Sequence, residues 1–393
     1  MPTERERGFR GAAAVVGVGE TELYRRGTSP YSGMQLAAMA VIGACEDAGV
    51  SPTAVDGFSS YAHDSNEGLR LGANLGVEEI RFSQLVFGGG GGGVAAAVNA
   101  AAAAVASGQA DCVAVYRSIT QADDGRGSYV QHHLGPLYTA HGLFTAAQFC
   151  ALRTQRMLEN DGVPAEAMAA VALAGYHHAQ RNPRAIAYGQ PLTAEKYSDS
   201  RWVSSPLRLF DCSRENDGAA ALLVVPAEHV ERYRGRPAYI LAGVQGGGRG
   251  WSESLENETA YTSAGFHPAM VQRLWAAAGI GPDDVDVVQL YENFTGPAVA
   301  SMIDFGLCEP GPSAVKTLHL DNLIVDGGRL PINTAGGNLA EGFVHGINLV
   351  LEAVRQLRGG SPNPVPGAGV SLLVGGPAAP LVSATVFGAT PGT

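Results

Sequence analysis

This chain carries little charge. Only 16% of its 393 residues are Asp, Glu, Lys or Arg, against 46% hydrophobic residues, and the net charge is −11. An acidic chain without basic clusters excludes a nucleic-acid surface, because phosphate binding is dominated by positive charge. Any anionic ligand must be held locally, by helix N-termini or single arginines. So small a charged fraction also predicts a homo-oligomer, a homodimer in the simplest case, with a large covered face.

Cysteine is sparse as well. Cys45, Cys112, Cys150, Cys212 and Cys308 are far apart and include no C-x-x-C pair, which argues against a disulfide framework or a structural zinc. Long apolar runs are missing too. The longest, residues 94–106, is alanine-rich, interrupted by Asn99 and shorter than a membrane span of roughly 20 residues. Residues 1–10 mix acids with bases, so export is not expected and the cytoplasm is. No G-x-S-x-G elbow, H-E-x-x-H or P-loop lysine occurs. Gly17-Val18-Gly19 follows a strand, but Glu22 stands where a dinucleotide fingerprint has its third glycine, so it reads as a strand-end turn. His132-His133 and His177-His178 are adjacent pairs whose side chains diverge, and no metal is expected at either.

What the chain does have is an internal duplication. Ala48-Gly49-Val50-Ser51-Pro52-Thr53-Ala54-Val55-Asp56 is matched without a gap by Ala278-Gly279-Ile280-Gly281-Pro282-Asp283-Asp284-Val285-Asp286, and Tyr61 and Tyr291 fall in register. Each copy reads as an amphipathic helix (34–48, 268–278), a glycine stop, a proline loop and a strand (55–61, 285–291). Upstream lie apolar strands at 12–17 and 239–243. Downstream, a glycine-rich turn enters a helix and then a strand: 88–93, 94–107 and 111–116 in one half, 336–337, 342–358 and 370–374 in the other. Strands alternating with crossover helices predict an α/β fold with mostly parallel sheets covered on both faces. At this length two halves packed back to back are expected, about 10–235 and 236–393.

The glycine run 88–93 is the first place for chemistry. It leaves backbone N–H groups exposed, and the helix behind it directs its positive end at them. An anion or oxyanion site follows, or else close packing of two backbones; glycine serves both.

The doubled half-fold, Ser107-Gly108-Gln109-Ala110-Asp111-Cys112-Val113, Pro206-Leu207-Arg208-Leu209-Phe210-Asp211-Cys212 with Asp217-Gly218-Ala219-Ala220-Ala221, and Asn333-Thr334-Ala335-Gly336-Gly337 followed by Gly342 resemble the thiolase superfamily. They are most similar to its sterol-carrier-protein-type, lipid-transfer branch. The resemblance implies a layered αβαβα arrangement, an acyl-CoA ligand and a cap insertion at about 120–206, with helices at 139–160 and 164–182. There Tyr129, Tyr138, Phe144 and Trp202 would suit a large hydrophobe.

Carried over residue by residue, the thiolase catalytic set is absent. The acyl-accepting cysteine falls on Gly91, the G-H-P histidine on Phe343, and the second cysteine's C-x-G-G motif on Leu373-Val374-Gly375-Gly376. Thiolysis through a covalent acyl-enzyme is therefore not expected. The oxyanion loop instead reads Tyr291-Glu292-Asn293-Phe294-Thr295, and His345 lies two residues beyond Phe343, on the first turn of the helix read there. Tyr291, His345, Glu292 and Asn293 are the candidate catalytic residues, with Gly90, Gly91, Gly92, Asn333 and Phe343 as candidate oxyanion and substrate contacts.

An acyl-CoA site with oxyanion donors and no nucleophile suits retro-aldol cleavage of a bulky β-hydroxyacyl-CoA, which needs a base, donors at the enolate oxygen and a proton for Cα. Some members of this branch shorten steroid side chains in this way. Coenzyme A would enter as part of the substrate, with no separate cofactor. The resemblance also implies a small OB-fold partner with a zinc ribbon. Two alternatives stay open: a catalytically silent homologue that binds acyl-CoA or lipid or scaffolds a partner enzyme, and an enzyme using Cys308 or Ser301 as a different nucleophile.

Overall fold

A computed structural model describes residues 9–87, 90–120, 136–248 and 261–392. The duplicated segments form as their chemistry requires. Helix α1, Gly33–Ala48, starts at Ser32, whose side chain and Gln35 close a capping box, and ends at Gly49 with φ +74. Its counterpart Pro268–Ala278 starts with proline after a capping His267 and ends at Gly279 with φ +68. Such left-handed residues satisfy the last helical carbonyls at no Cβ cost.

The duplicated aspartates do the same work twice. Asp56 accepts from the backbone N–H of Asp111 and Cys112 at 2.8–3.1 Å. Asp286 accepts from those of Gly369 and Val370 at 2.8 and 2.9 Å. Each carboxylate thereby ties one strand to the start of its parallel neighbour.

Besides short strands at Tyr24–Arg25, Trp202–Ser204 and Leu207–Arg208, the strands of the first half are β1, Ala13–Glu20, β2, Gly57–Tyr61, β3, Phe82–Val86, β4, Val113–Ile119, and β5, Asn216–Pro226. The second half contributes β6, Ala238–Gly246, β7, Val287–Leu290, β8, Val370–Gly375, and β9, Val382–Gly388. Their order is β7-β8-β9-β6-β1-β5-β4-β2-β3. Pairing runs through the two halves in the same sequence. β1·β5 and β5·β4 are antiparallel, while β4·β2 and β2·β3 are parallel. β6·β9 and β9·β8 are antiparallel, β8·β7 is parallel, and an isolated parallel bridge from Val288 to Ile332 stands where β3 does.

Two expectations are corrected. The sheets are mixed, not mostly parallel, because β5 and β9, which the sequence reading left unassigned as strands, enter antiparallel. The halves are also joined edge to edge, where Ala13–Val15 pair with Ala238–Ile240.

The layering is that expected of the resemblance. Helix α1 and α2, Gly68–Leu75, cover the outer face of the first half. Helix α3, Gly93–Ala106, touches strands of both halves, as does the later helix Ile347–Arg358. Between 120 and 206, α4, Ala146–Glu159, and α5, Glu166–Ala179, are shorter than the sequence suggests. Both pack on the helix Thr295–Asp304, which follows Tyr291. In chain order the remaining α-helices longer than five residues are α6, Pro268–Ala278, α7, Thr295–Asp304, and α8, Ile347–Arg358; α6 and α7 close the outer face of the second half.

Gly17 and Gly19 also correct the sequence reading. They lie inside β1, where a Cβ would strike the backbone of α1 at Ala44 and Ala40, so they permit close strand–helix approach rather than a turn.

Candidate active site

Parallel strands present functional groups at their C-terminal ends. Tyr61 is the last residue of β2, and Tyr291 directly follows β7, its backbone N–H donating to the Val374 carbonyl at 3.0 Å. Both rings are buried and belong to the central core with Val94 and Ile347.

The phenol of Tyr291 meets the glycine turn before α3. A Cβ on Gly91 would overlap Cζ, Cε2 and Oη of Tyr291, and one on Gly346 would come within 2.5 Å of Cδ2. The two glycines therefore make room for this ring. No side chain caps α3 at Gly92, so the positive end of a long apolar helix lies beside the phenol. Gly92 itself packs against the Leu381 carbonyl and the Gly376 turn, and its own carbonyl accepts from Ser383 Oγ at 2.5 Å. Gly88 and Gly89 lie outside the described residues.

His345 reaches the same place by a route the sequence does not reveal. The expected helix over 342–358 begins only at Ile347, because His345 and Gly346 have φ values of +56 and +88. The ring thus escapes the helical register that would have turned it away. Its Nε2 is the atom nearest a Cβ on Gly90, at 3.6 Å. Tyr61 Oη donates to the His345 carbonyl at 2.8 Å. A non-glycine residue in the left-handed region costs about 1 kcal/mol or more, and this hydrogen bond helps hold it there.

Phe343 is partly buried and joins the two candidate groups. Its ring lies edge-on to Tyr291, with centroids 6.1 Å apart, and 5.6 Å from that of His345. It forms an apolar wall where the resemblance implies a histidine in thiolases.

Other candidates stand behind this wall. Glu292 is fully buried and faces the turn at 337–339, where Oε1 accepts from Leu339 N–H at 3.3 Å and Oε2 makes no hydrogen bond among the described residues. Burial pushes its carboxyl up to about 8, so it is largely protonated at neutral pH. Asn293 gives its carbonyl to Ser213 N–H at 2.9 Å. Asn333 spends both ends of its amide on the Leu290 backbone, at 2.6 and 3.0 Å, which fixes the end of β7 rather than facing the glycine turn.

The alternative nucleophiles do not fit. Ser301 is fully buried and donates to the Ala298 carbonyl at 2.7 Å. Cys308 is buried and its thiol is pushed up to about 12, chiefly by burial. Of the paired histidines, His177 meets Asp326 at 2.7 Å and His178 accepts from Val325 N–H at 3.1 Å; His132 and His133 lie outside the described residues. Phe144 and Trp202 are about half exposed, with Arg208 stacked 3.8 Å over the indole, while Tyr129 lies outside the described residues.

Two residues were missed. Arg117, on β4, donates from Nε to His345 Nδ1 at 3.3 Å and pairs through Nη1 with Asp64 at 3.1 Å. The available signal was a cation directly after the apolar run Val113-Ala114-Val115-Tyr116; buried cations are rare without a partner.

Residues 247–386 match the model of the family described as "Thiolase C-terminal domain-like". The chain is 37% identical to the 17-hydroxy-3-oxo-4-pregnene-20-carboxyl-CoA lyase of Mycobacterium tuberculosis, over 94% of this chain and 97% of the relative. It is 35% identical to the steroid side-chain-cleaving aldolase of Thermomonospora curvata, over 93% and 94%. A solved structure described as "Ltp2-ChsH2(DUF35) aldolase" superposes with a TM-score of 0.87 at 33% identity, over 97% of this chain and 98% of that one.

Proposed function

The chain belongs to the thiolase superfamily, in its sterol-carrier-protein-type aldolase branch, and from that membership we propose that it is a carbon–carbon lyase. Its substrate is a bulky β-hydroxyacyl-CoA, of steroid side-chain type, cleaved by retro-aldol chemistry. The carrying observation is that the Tyr291 phenol fills the space a side chain on Gly91 would need. Where a covalent thiolase would carry its thiol, this chain has a hydroxyl that can exchange a proton.

In this reading Tyr291 enters as the phenolate, beside the positive end of α3, and takes the β-hydroxyl proton. The electron pair left on the β-oxygen forms the carbonyl of the departing ketone or aldehyde, the Cα–Cβ bond breaks, and its electron pair moves onto the thioester as an enolate. Donors at the Gly90–Gly92 turn, the end of α3 and the His345 ring hold the enolate oxygen. The proton removed from oxygen is the one Cα needs, so a single phenol can carry it across. Glu292 and Asn333 brace the strand end behind Tyr291. Coenzyme A enters as part of the substrate, and the reaction as written calls for no further cofactor.

Association is part of the proposal. β3 is an edge strand among the described residues, with Leu85 and Phe87 exposed on or beside it, which supports a homodimer closed across that edge. A small OB-fold protein with a zinc ribbon is the proposed partner, and the two names in the description of the solved relative support a heteromeric assembly. Among the described residues no helix is long and apolar enough to cross a membrane, in keeping with a cytoplasmic enzyme.

The test is direct. The chain, alone and with the partner, is mixed with a steroid-type β-hydroxyacyl-CoA, and the products are resolved by mass spectrometry. Equal amounts of a shortened acyl-CoA and a ketone or aldehyde are expected. Tight binding without either product would leave the silent homologue as the better account.

A further inference from the structure

We propose that Arg117 is a positioning residue that fixes the tautomer of His345, so that the ring's Nε2–H, beside the Gly90–Gly91 turn, donates to the thioester oxygen of the bound substrate. This rests on the lyase reading above.

The Arg117 guanidinium is held in one orientation. Arg117 is 5% exposed, and its Asp64 partner is in turn held by Ser60 Oγ at 2.5 Å and by the backbone and side-chain nitrogens of Asn66, both at 2.9 Å. With Asp64 pinned by three donors and Nη1 on Asp64, the orientation of Nε–H is set. It points at His345 Nδ1.

A guanidinium has donors only. A donor aimed at an imidazole nitrogen needs the lone pair there, so Nδ1 is the bare nitrogen and the ring proton sits on Nε2. Nε2 is also the ring atom nearest Gly90. Tyr61 holds the carbonyl of the same residue, and Arg117 Cζ lies 5.9 Å from the Tyr61 ring centroid. Backbone and ring are therefore clamped from one side, with Nε2 beside the glycine turn.

During cleavage this N–H donates a hydrogen bond and keeps its proton. The proton that moves is the one carried from the β-hydroxyl to Cα by Tyr291. A ring with its proton on Nδ1 would set two donors against each other at Arg117 and offer the substrate a lone pair, which repels a developing oxyanion.

The full-length chain, labelled with ¹⁵N-histidine, reports the tautomer by long-range ¹H–¹⁵N correlation, with His345→Gln identifying the signal. The wild type should show a protonated Nε2 and a bare Nδ1, a reading available even where a substitution unfolds the chain. In Arg117→Met the signal should move toward a mixture of tautomers, and kcat for cleavage should fall about 10- to 100-fold with KM nearly unchanged. Arg117→Lys, which keeps a donor, should recover part of both. A wild-type ring protonated on Nδ1, or an Arg117→Met ring indistinguishable from wild type, overturns the proposal. A chain that shows the expected ring and cleaves no β-hydroxyacyl-CoA keeps Arg117 as the clamp on His345 and sinks the lyase reading instead.

Discussion

Tyr291 and Gly91 share one space: the phenol of the first occupies the volume that any side chain on the second would need. The pairing explains why a thiol at position 91 is incompatible with this loop. Gly91→Cys should therefore create no thiolase activity, and Gly91→Val should abolish cleavage. Each forces a large atom against a buried ring, at about 1–3 kcal/mol of stability. Thermal unfolding with an acetoacetyl-CoA thiolysis assay checks both halves, and thiolysis by the Cys variant would contradict the arrangement.

Tyr291→Phe removes one oxygen and leaves the packing. Stability should change by under about 1.5 kcal/mol, while turnover should drop roughly 10²-fold or more as proton exchange is lost. Tyr61→Phe is not the silent control that its place in the duplication suggests. Its hydroxyl holds the His345 carbonyl at 2.8 Å, so a loss of about 1 kcal/mol and a smaller fall in kcat are expected. Steady-state rates of the two folded variants rank them, and equal rates for Tyr291→Phe and wild type would make Tyr291 a packing residue.

Much of this was legible because it is local. Glycine stops, proline turns and the aspartates at 56 and 286 are short-range signals, and they gave the duplicated helix–loop–strand and the strand end bearing Tyr291. His345 was legible only as a residue; its left-handed backbone depends on Tyr61, a contact across the two halves, and the helical pattern around it suggested the wrong start. The contacts of Arg117 with Asp64 and His345 were illegible for the same reason, since they exist only once distant segments lie side by side. β5 and β9 escaped as strands because runs such as Ala219-Ala220-Ala221 carry no alternation when both faces are buried.

The edge of β3 gives the third prediction. Leu85 is 45% exposed on a strand whose outer edge pairs with nothing among the described residues, and Phe87, just beyond its end, is 75% exposed. An open apolar edge invites strand addition. If a second copy covers it, Leu85→Glu combined with Phe87→Glu should shift the dimer to monomer, raising the dissociation constant at least about tenfold. Light scattering across dilution reads this directly. A wild-type chain that is monomeric at micromolar concentration removes the dimer.

Buried carboxyls set the pH response. Glu292 and Glu341 are pushed up to about 8 and Asp304 to about 7, each chiefly by burial. A carboxyl with a raised folded pKa binds a proton in the folded state that the unfolded chain releases above about 4.3. Its contribution to stability is therefore full below that value and is lost as pH rises toward 7–8. Urea midpoints should decline from about pH 5 to pH 8, against the usual expectation for surface carboxylates in ion pairs. Glu292→Gln keeps the shape and the neutral form, so it should flatten the decline by one proton's share, at most about 1.4 kcal/mol per pH unit. It should change kcat little at pH 6, where Glu292 is already protonated. A midpoint that rises between pH 5 and 8 in the wild type, or a Gln variant with an unchanged slope, would show that Glu292 is ionised in the folded protein and faces a cation.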